Sequence, residues 1–308
     1  MPRHFLTGEE LTSDELDALL SRAEQLKRER LASRALTDRK VALIFQKPST
    51  RTRVSFEVGV VELGGHPLVL REGEMQLSRG ESPPDTARVL SRFVDAIAIR
   101  TGPQAIVEEL AEHSSVPVIN MLTDEHHPCQ ALADLLTLRE RFGSLEGLRL
   151  VYVGDGNNVA HSLMLLGAIA GMDVVIAAPA ELSPDENVAR LARELASDGA
   201  KVEVTTDAVA AAAGAHALYT DVWVSMGGDD SGERRRLLEP YRLDERLMEA
   251  ARDDVIALHC LPAHPGEEIS EAVLYGDRSA VFDQAENRLH AQKALLEFLL
   301  TERKHRST

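Results

Sequence analysis

The sequence predicts an α/β protein of two domains, each a mostly parallel sheet with helices on both faces. Three observations carry that expectation. Short apolar, β-prone runs alternate with helical segments along the chain, the pattern of parallel strands joined by crossover helices. A length of 308 residues exceeds one small core and suits two domains. Nearly every polar cluster also stands just past the carboxyl end of a predicted strand, where open α/β sheets bind ligands.

The first element is a helix. Thr12 and Glu15 have capping-box spacing, and Leu16, Leu19, Leu20, Ala23 and Leu26 then recur at helical intervals. Strands are expected over 41–45, 67–70, 96–100 and 117–121 in the first half, each a short apolar run. A helix starts within 54–58, and 129–142 reads as one helix ending before Gly143. Leu145-Glu146-Gly147 then leads into the next strand, so patterning sets the domain junction there. In the second half strands are expected over 150–153, 173–177, 202–205, 217–220, 255–259 and 280–282, and the alanine-rich 208–215 reads as helix.

Composition narrows the function classes. Hydrophobic residues make up 44% and charged residues 27%, as in a globular protein with ample apolar surface to bury. A formal net charge of -16 argues against nucleic acid or an anionic membrane as the main partner, so any anion site is a local, focused exception. The first twenty residues carry scattered acids and lack the apolar core of a secretory signal. Cys129 and Cys260 lie far apart without CxxC spacing, which favours reduced thiols and a cytoplasmic setting.

Ser49-Thr50-Arg51-Thr52-Arg53 sits between a predicted strand and a predicted helix. The free N–H groups and dipole of a helix's first turn favour negative charge, and Ser, Thr and Arg side chains add the donors that a multiply charged phosphate needs. Arg100-Thr101 closes another strand. His127-Pro128-Cys129-Gln130 follows the next, and His127 and Gln130 are spaced to reach one ligand from one helix face; the alternative is a structural helix start. His126, beside it, is expected to be exposed. In the second half, Gly154-Asp155-Gly156-Asn157-Asn158, Asp221 and His259-Cys260-Leu261-Pro262 all follow strands. Cys260 reads either as a nucleophile or as a polar positioner. His259, Cys260 and His264 invite a zinc reading, but a convincing remaining ligand set is missing, and no metal or other cofactor is expected. A dinucleotide fold fits poorly, since Val159 stands at the third glycine position and Ala177-Ala178-Pro179 offers no acid for a ribose.

Taken together, these residues resemble the transcarbamoylase family along essentially the whole chain. Ser-Thr-Arg-Thr-Arg at 49–53 and His-Pro-x-Gln at 127–130 are similar to its carbamoyl phosphate motifs, while Asp221-x-x-x-Ser225-Met226-Gly227 and His259-Cys260-Leu261-Pro262 resemble the loops of its ornithine-using branch. The resemblance implies a carbamoyl phosphate-binding domain over 1–134, onto which a C-terminal helix of about 287–308 packs back, and an ornithine-binding domain over 135–286. It implies that Ser49, Thr50, Arg51 and Thr52 hold the phosphate, and that Arg100 bridges phosphate and carbonyl oxygen. His127 with Thr52 polarises the carbonyl, Gln130 and the Leu261 carbonyl fix the NH₂, and Cys260 and Arg288 complete the carbamoyl phosphate set. Asn158, Asp221, Ser225 and Met226 match the ornithine contacts, with Asp221 and Cys260 beside the side-chain amine.

Arg51, Arg100, His127, Asp221 and Cys260 are thus the expected catalytic residues, with carbamoyl phosphate and L-ornithine as substrates and citrulline and phosphate as products. The implied setting is arginine biosynthesis or its reverse. By the same resemblance the protein forms a homotrimer or a multiple of it, Gln76 completes a neighbouring subunit's site, and the 221–232 loop closes over ornithine. Ser78 and Pro265 depart from the family's common Gln-Leu-Gly and His-Arg-Gly. Carbamoyl transfer to putrescine or an acylated ornithine is the alternative; Ser225-Met226-Gly227, whose family role is reading an α-amino acid, disfavours putrescine.

Overall fold

Residues 41–45 and 96–99 are apolar without alternation, and a strand of that kind must be covered on both faces. In the computed structural model, which describes residues 2–75, 80–197, 199–224 and 232–301, they are the central strands of a parallel sheet. β1 (Lys40–Phe45), β2 (His66–Arg71), β3 (Ala96–Arg100) and β4 (Val118–Leu122) run in the order β2-β1-β3-β4. Helices α1 (Ser13–Arg28), α2 (Thr50–Glu62), α3 (Pro83–Leu90) and α4 (Gln104–His113) belong to the same half. Thr12 and Glu15 form the expected capping box, and Leu16, Leu19, Leu20, Ala23 and Leu26 are buried. Ile44, Ile97, Ile99, Val107, Leu110 and Val118 form one core. Each such side chain contributes about 1.5–3 kcal/mol when fully buried.

The second sheet has five parallel strands in the order β7-β6-β5-β8-β9. They are β5 (Arg149–Val153), β6 (Asp173–Ala177), β7 (Val202–Thr205), β8 (Ala217–Thr220) and β9 (Ile256–His259). Around it lie α6 (Asn158–Ile169), α7 (Glu186–Leu195), α8 (Ala208–Ala212), α9 (Gly232–Leu238), α10 (Glu245–Ala250) and α11 (Glu271–Leu274). α6 is buried from Val159 through Ile169. Gly167 permits its close approach, since a Cβ there would stand 2.5 Å from Val174 Cγ2.

Two helices remain, α5 (Pro128–Phe142) and α12 (Val281–Thr301). The chain divides into one unit of Met1–Ala133 with Asn287–Thr308 and another of Asp134–Glu286, so both boundaries fall inside these helices. The Leu145-Glu146-Gly147 turn lies within the second unit. Among the described residues, no helix is long and apolar enough to cross a membrane.

One predicted strand is absent. Residues 280–282 form no strand: a single bridge, Ala257 with Ser279, lies just before them, and Val281 already begins α12. Three apolar residues carry too little strand signal against the long helical pattern that follows them.

Candidate active site

In the first unit, Ser49 caps α2, its hydroxyl accepting from Thr52 N–H at 3.3 Å. That leaves Thr50 exposed and Arg51 half-buried in the first helical turn, while Thr52 is buried. Arg100 ends β3 opposite Phe45, with its carbonyl accepting from Gln46 N–H at 2.9 Å. Arg288, in the part of α12 that belongs to this unit, donates from Nη2 to Thr52 Oγ1 at 2.6 Å and from Nη1 to Gln130 Oε1 at 2.8 Å. One guanidinium thereby joins the phosphate motif to the start of α5.

His127 is buried at 4% exposure. Burial first, then the positive fields of Arg288, Arg100 and Arg51, hold its pKa well below the usual imidazole value. It is a neutral imidazole among cations, suited to polarising a carbonyl without adding a fourth positive charge. Its neighbour His126 is buried too, against expectation, because its N–H donates to Thr123 Oγ1 at 3.0 Å and its carbonyl accepts from Thr123 N–H at 2.8 Å. Cys129 is inert: burial pushes its thiol up to about 12 and Sγ donates to the Asn120 carbonyl. A cavity of about 600 Å³ reaches this site only at its edge, touching Ser49 and Thr50 but running along Phe45, Arg53, Glu57 and Glu72.

In the second unit the strand tips converge on Asp221, which follows β8. Its Oδ1 accepts from Cys260 Sγ at 2.8 Å and its Oδ2 from Asn157 Nδ2 at 2.9 Å. Asn157 caps α6, its Oδ1 accepting from Val159 and Ala160 N–H, and Tyr152 OH donates to the same oxygen at 3.3 Å. Asn158 is the first residue of α6. Gly156 lets the 182–184 segment pass close by, since a Cβ there would meet Pro184 N at 2.2 Å. Asp155 pairs with Arg234 of α9, which also donates to the Trp223 carbonyl at 2.8 Å. Burial raises the Asp155 carboxyl; Arg234 offsets part of this and Asp221 adds to it.

The Cys260 loop is built on a histidine. His259 Nδ1 accepts from Leu261 N–H at 2.8 Å, so Nε2 carries the hydrogen and donates to Glu268 Oε1 at 3.1 Å. Burial alone would raise the Glu268 carboxyl, but hydrogen bonds from His259 and from His264 N–H bring it below the ordinary value. Leu261 itself stands at φ 58, in the left-handed region, and is followed by a cis bond to Pro262. Asp221, His259 and Cys260 each place one ligand atom within 4.8 Å of the others. A cation there would first have to break His259 away from Leu261 N–H or Glu268.

Of the expected site residues, the structure joins Thr52, Gln130 and Arg288 directly and sets His127 in the field of Arg51 and Arg100. It joins Asp221 to Cys260 and seats Leu261 beside them. Gln76, Ser225 and Met226 lie outside the described residues, as do Ser78 and most of the 221–232 loop. The sequence reading missed the roles of Asn157, Glu268 and Arg234; only Asn157 carried a readable signal, as an N-cap residue before an apolar run.

Two family models cover nearly the entire chain: the aspartate/ornithine carbamoyltransferase carbamoyl-P binding domain matches residues 3–140, and the Asp/Orn binding domain matches residues 146–299. The chain belongs to the aspartate/ornithine carbamoyltransferase family. Within this family it is 60% identical over 306 residues to the ornithine carbamoyltransferase of Parafrankia sp., covering 97% of this chain and 96% of that one. It is 55% identical to that of Acidothermus cellulolyticus over 303 residues, with 97% of both chains covered. The ornithine carbamoyltransferase structure from Pyrococcus furiosus superposes with a TM-score of 0.93 at 48% identity, covering 97% of each chain. The carbamoyltransferase fold of two parallel sheets is therefore shared over its full extent.

Proposed function

We propose that this chain transfers the carbamoyl group of carbamoyl phosphate to the side-chain amine of L-ornithine, giving L-citrulline and phosphate. The observation that carries the reading is the hydrogen bond from Cys260 Sγ to Asp221 Oδ1 at 2.8 Å, because it builds an acceptor for an amine at the tips of β8 and β9. Identity of up to 60% to ornithine carbamoyltransferases supports it.

The first unit is assigned to carbamoyl phosphate, through Ser49, Thr50, Arg51, Thr52, Arg100, His127, Gln130 and Arg288, with Gln76, Cys260 and Leu261 completing the set. The second is assigned to ornithine, through Asn158, Asp221, Ser225 and Met226. The amine lone pair attacks the carbamoyl carbon, the carbon–oxygen bond breaks with its electrons leaving on phosphate, and the proton that the attacking nitrogen sheds departs on that phosphate. Charge grows on the carbonyl oxygen and on the leaving oxygens, where Arg51, Arg100, Thr52 and neutral His127 stabilise it. An alkyl amine has a solution pKa of ~10.4, so the site must select its neutral form, and Asp221 with Cys260 orients the lone pair. Cys260 is a positioner, since direct attack by the amine leaves no covalent step for it to perform. A homotrimer in the cytoplasm completes the reading.

The test is stoichiometric. Purified protein given carbamoyl phosphate and ornithine is expected to form citrulline and phosphate one for one, above the non-enzymatic blank. Phosphate release without citrulline would overturn the assignment.

A further inference from the structure

We propose that Gln284 is a positioning residue for Cys260: its side chain stands in for the next strand at the open edge of the second sheet and holds the peptide before the cysteine. The inference rests on the reading of Cys260 and Asp221 as the pair that orients the amine. β9 is an edge strand, so the N–H groups of Ala257 and His259, two residues apart, point away from β8 with no further strand among the described residues to receive them. Ala257 is served by backbone, its N–H donating to the Arg278 carbonyl at 2.9 Å and its carbonyl accepting from Ala280 N–H at 3.0 Å. The chain then turns into α12 at Val281, and the ladder ends one step before His259.

Gln284 supplies the missing rung. Its Oε1 accepts from His259 N–H at 2.9 Å, while its Nε2 donates to Asp134 Oδ1 at 2.7 Å and to Tyr219 OH at 3.0 Å. Gln284, Asp134 and Tyr219 are fully buried and His259 is 1% exposed. Both amide hydrogens are used, and Asp134 fixes which way the amide faces, because a flip would set Oε1 against its carboxylate. An apolar side chain here would leave the His259 N–H without an acceptor in a dry site, where an unmade bond is costlier than a made one is stabilising. The peptide would tilt to find another partner, and Cys260 Sγ would move with respect to Asp221.

Steady-state kinetics of the full-length enzyme test this, with wild type alongside so that failure of the ornithine reading shows as an inactive wild type. Gln284→Met keeps the volume and removes all three bonds. It is expected to lower kcat/KM for ornithine about tenfold to a hundredfold, the usual effect of a small misplacement at a reacting centre, and to raise KM for carbamoyl phosphate by a clearly smaller factor, since only the Cys260 and Leu261 contacts assigned to that substrate move with the peptide. The double variant Asp134→Asn with Gln284→Glu reverses the polarity of the pair while keeping an acceptor for His259 N–H, and is expected to recover to within about threefold. If Gln284→Met does not fold, Gln284→Asn, one methylene too short to reach His259, carries the same decision. An active wild type whose Gln284 variant stays within twofold for ornithine, loses both substrates equally, or is not rescued by the reversed pair would overturn the proposal.

Discussion

Both carboxylate oxygens of Asp221 are engaged, Oδ1 by Cys260 and Oδ2 by Asn157, so its direction is set by the protein itself. A serine at 260 can still donate to Oδ1. Cys260→Ser is therefore expected to keep measurable activity and a sequential kinetic pattern, with Cys260→Ala the weaker of the two; a trapped carbamoyl-cysteine or ping-pong kinetics would contradict the positioner role. On the proposed assignment of Arg51 to the leaving phosphate, Arg51→Ala is expected to lower kcat by ~10² to 10³, measured at saturating substrates. His127 gives a pH prediction. Its pKa is depressed in the folded protein by burial and by Arg288, Arg100 and Arg51, so between that value and the unfolded value of ~6.5 the unfolded chain binds the proton and the native one does not. Stability should accordingly fall as pH drops below about 6.5 and be indifferent to this group above it. Melting curves of wild type and His127→Gln should diverge in slope below that pH, and parallel curves would show that His127 is not held neutral.

Strands and the clusters at their tips were legible because parallel strands covered on both faces are written as unbroken apolar runs, and because a capping box such as Thr12 with Glu15 marks a helix start by its spacing. The 280–282 run was misread for the opposite reason: it is three residues long, and its edge-strand role is carried by Ser279 and a side chain, Gln284. Contacts such as Asp155 with Arg234, and Gln284 with Asp134, Tyr219 and His259, join segments remote in sequence, and even His259 with Glu268, nine residues apart, follows no periodic pattern that announces it. At the element scale the sharpest test is the turn from β5 into α6. Gly156→Ala would place a Cβ 2.2 Å from Pro184 N and 2.6 Å from Ser183 C, both backbone atoms that cannot swing aside. The turn must shift and carry Asn157 with it. The variant is expected to lose stability by about 1–3 kcal/mol, as overpacking does, and to raise KM for ornithine more than KM for carbamoyl phosphate. A melting temperature and ornithine KM equal to wild type would show that the turn does not set the position of Asn157.

For the molecule as a whole, the proposed trimer makes a prediction that needs two proteins. Arg51→Ala and Gln76→Ala chains, each impaired alone, are unfolded together and reassembled. Where a site takes Arg51 from one chain and Gln76 from its neighbour, roughly a quarter of sites in an equal random mixture carry neither substitution. Activity above the sum of the parents is the expected result, and its absence with a clearly impaired Gln76→Ala would contradict a shared site. Binding order belongs to the same scale: carbamoyl phosphate is expected to bind first, so calorimetric titration with ornithine alone should show no tight binding. The central claim is that the Asp221 and Cys260 pair receives the side-chain amine of ornithine. It is tested most directly by kcat/KM with carbamoyl phosphate and a panel of ornithine, N-acetylornithine, N-succinylornithine, putrescine and aspartate. Ornithine should lead, with putrescine lower by roughly a hundredfold or more for want of contacts to its missing α-amino and α-carboxylate groups. Equal or faster turnover of any other amine in the panel would contradict the assignment.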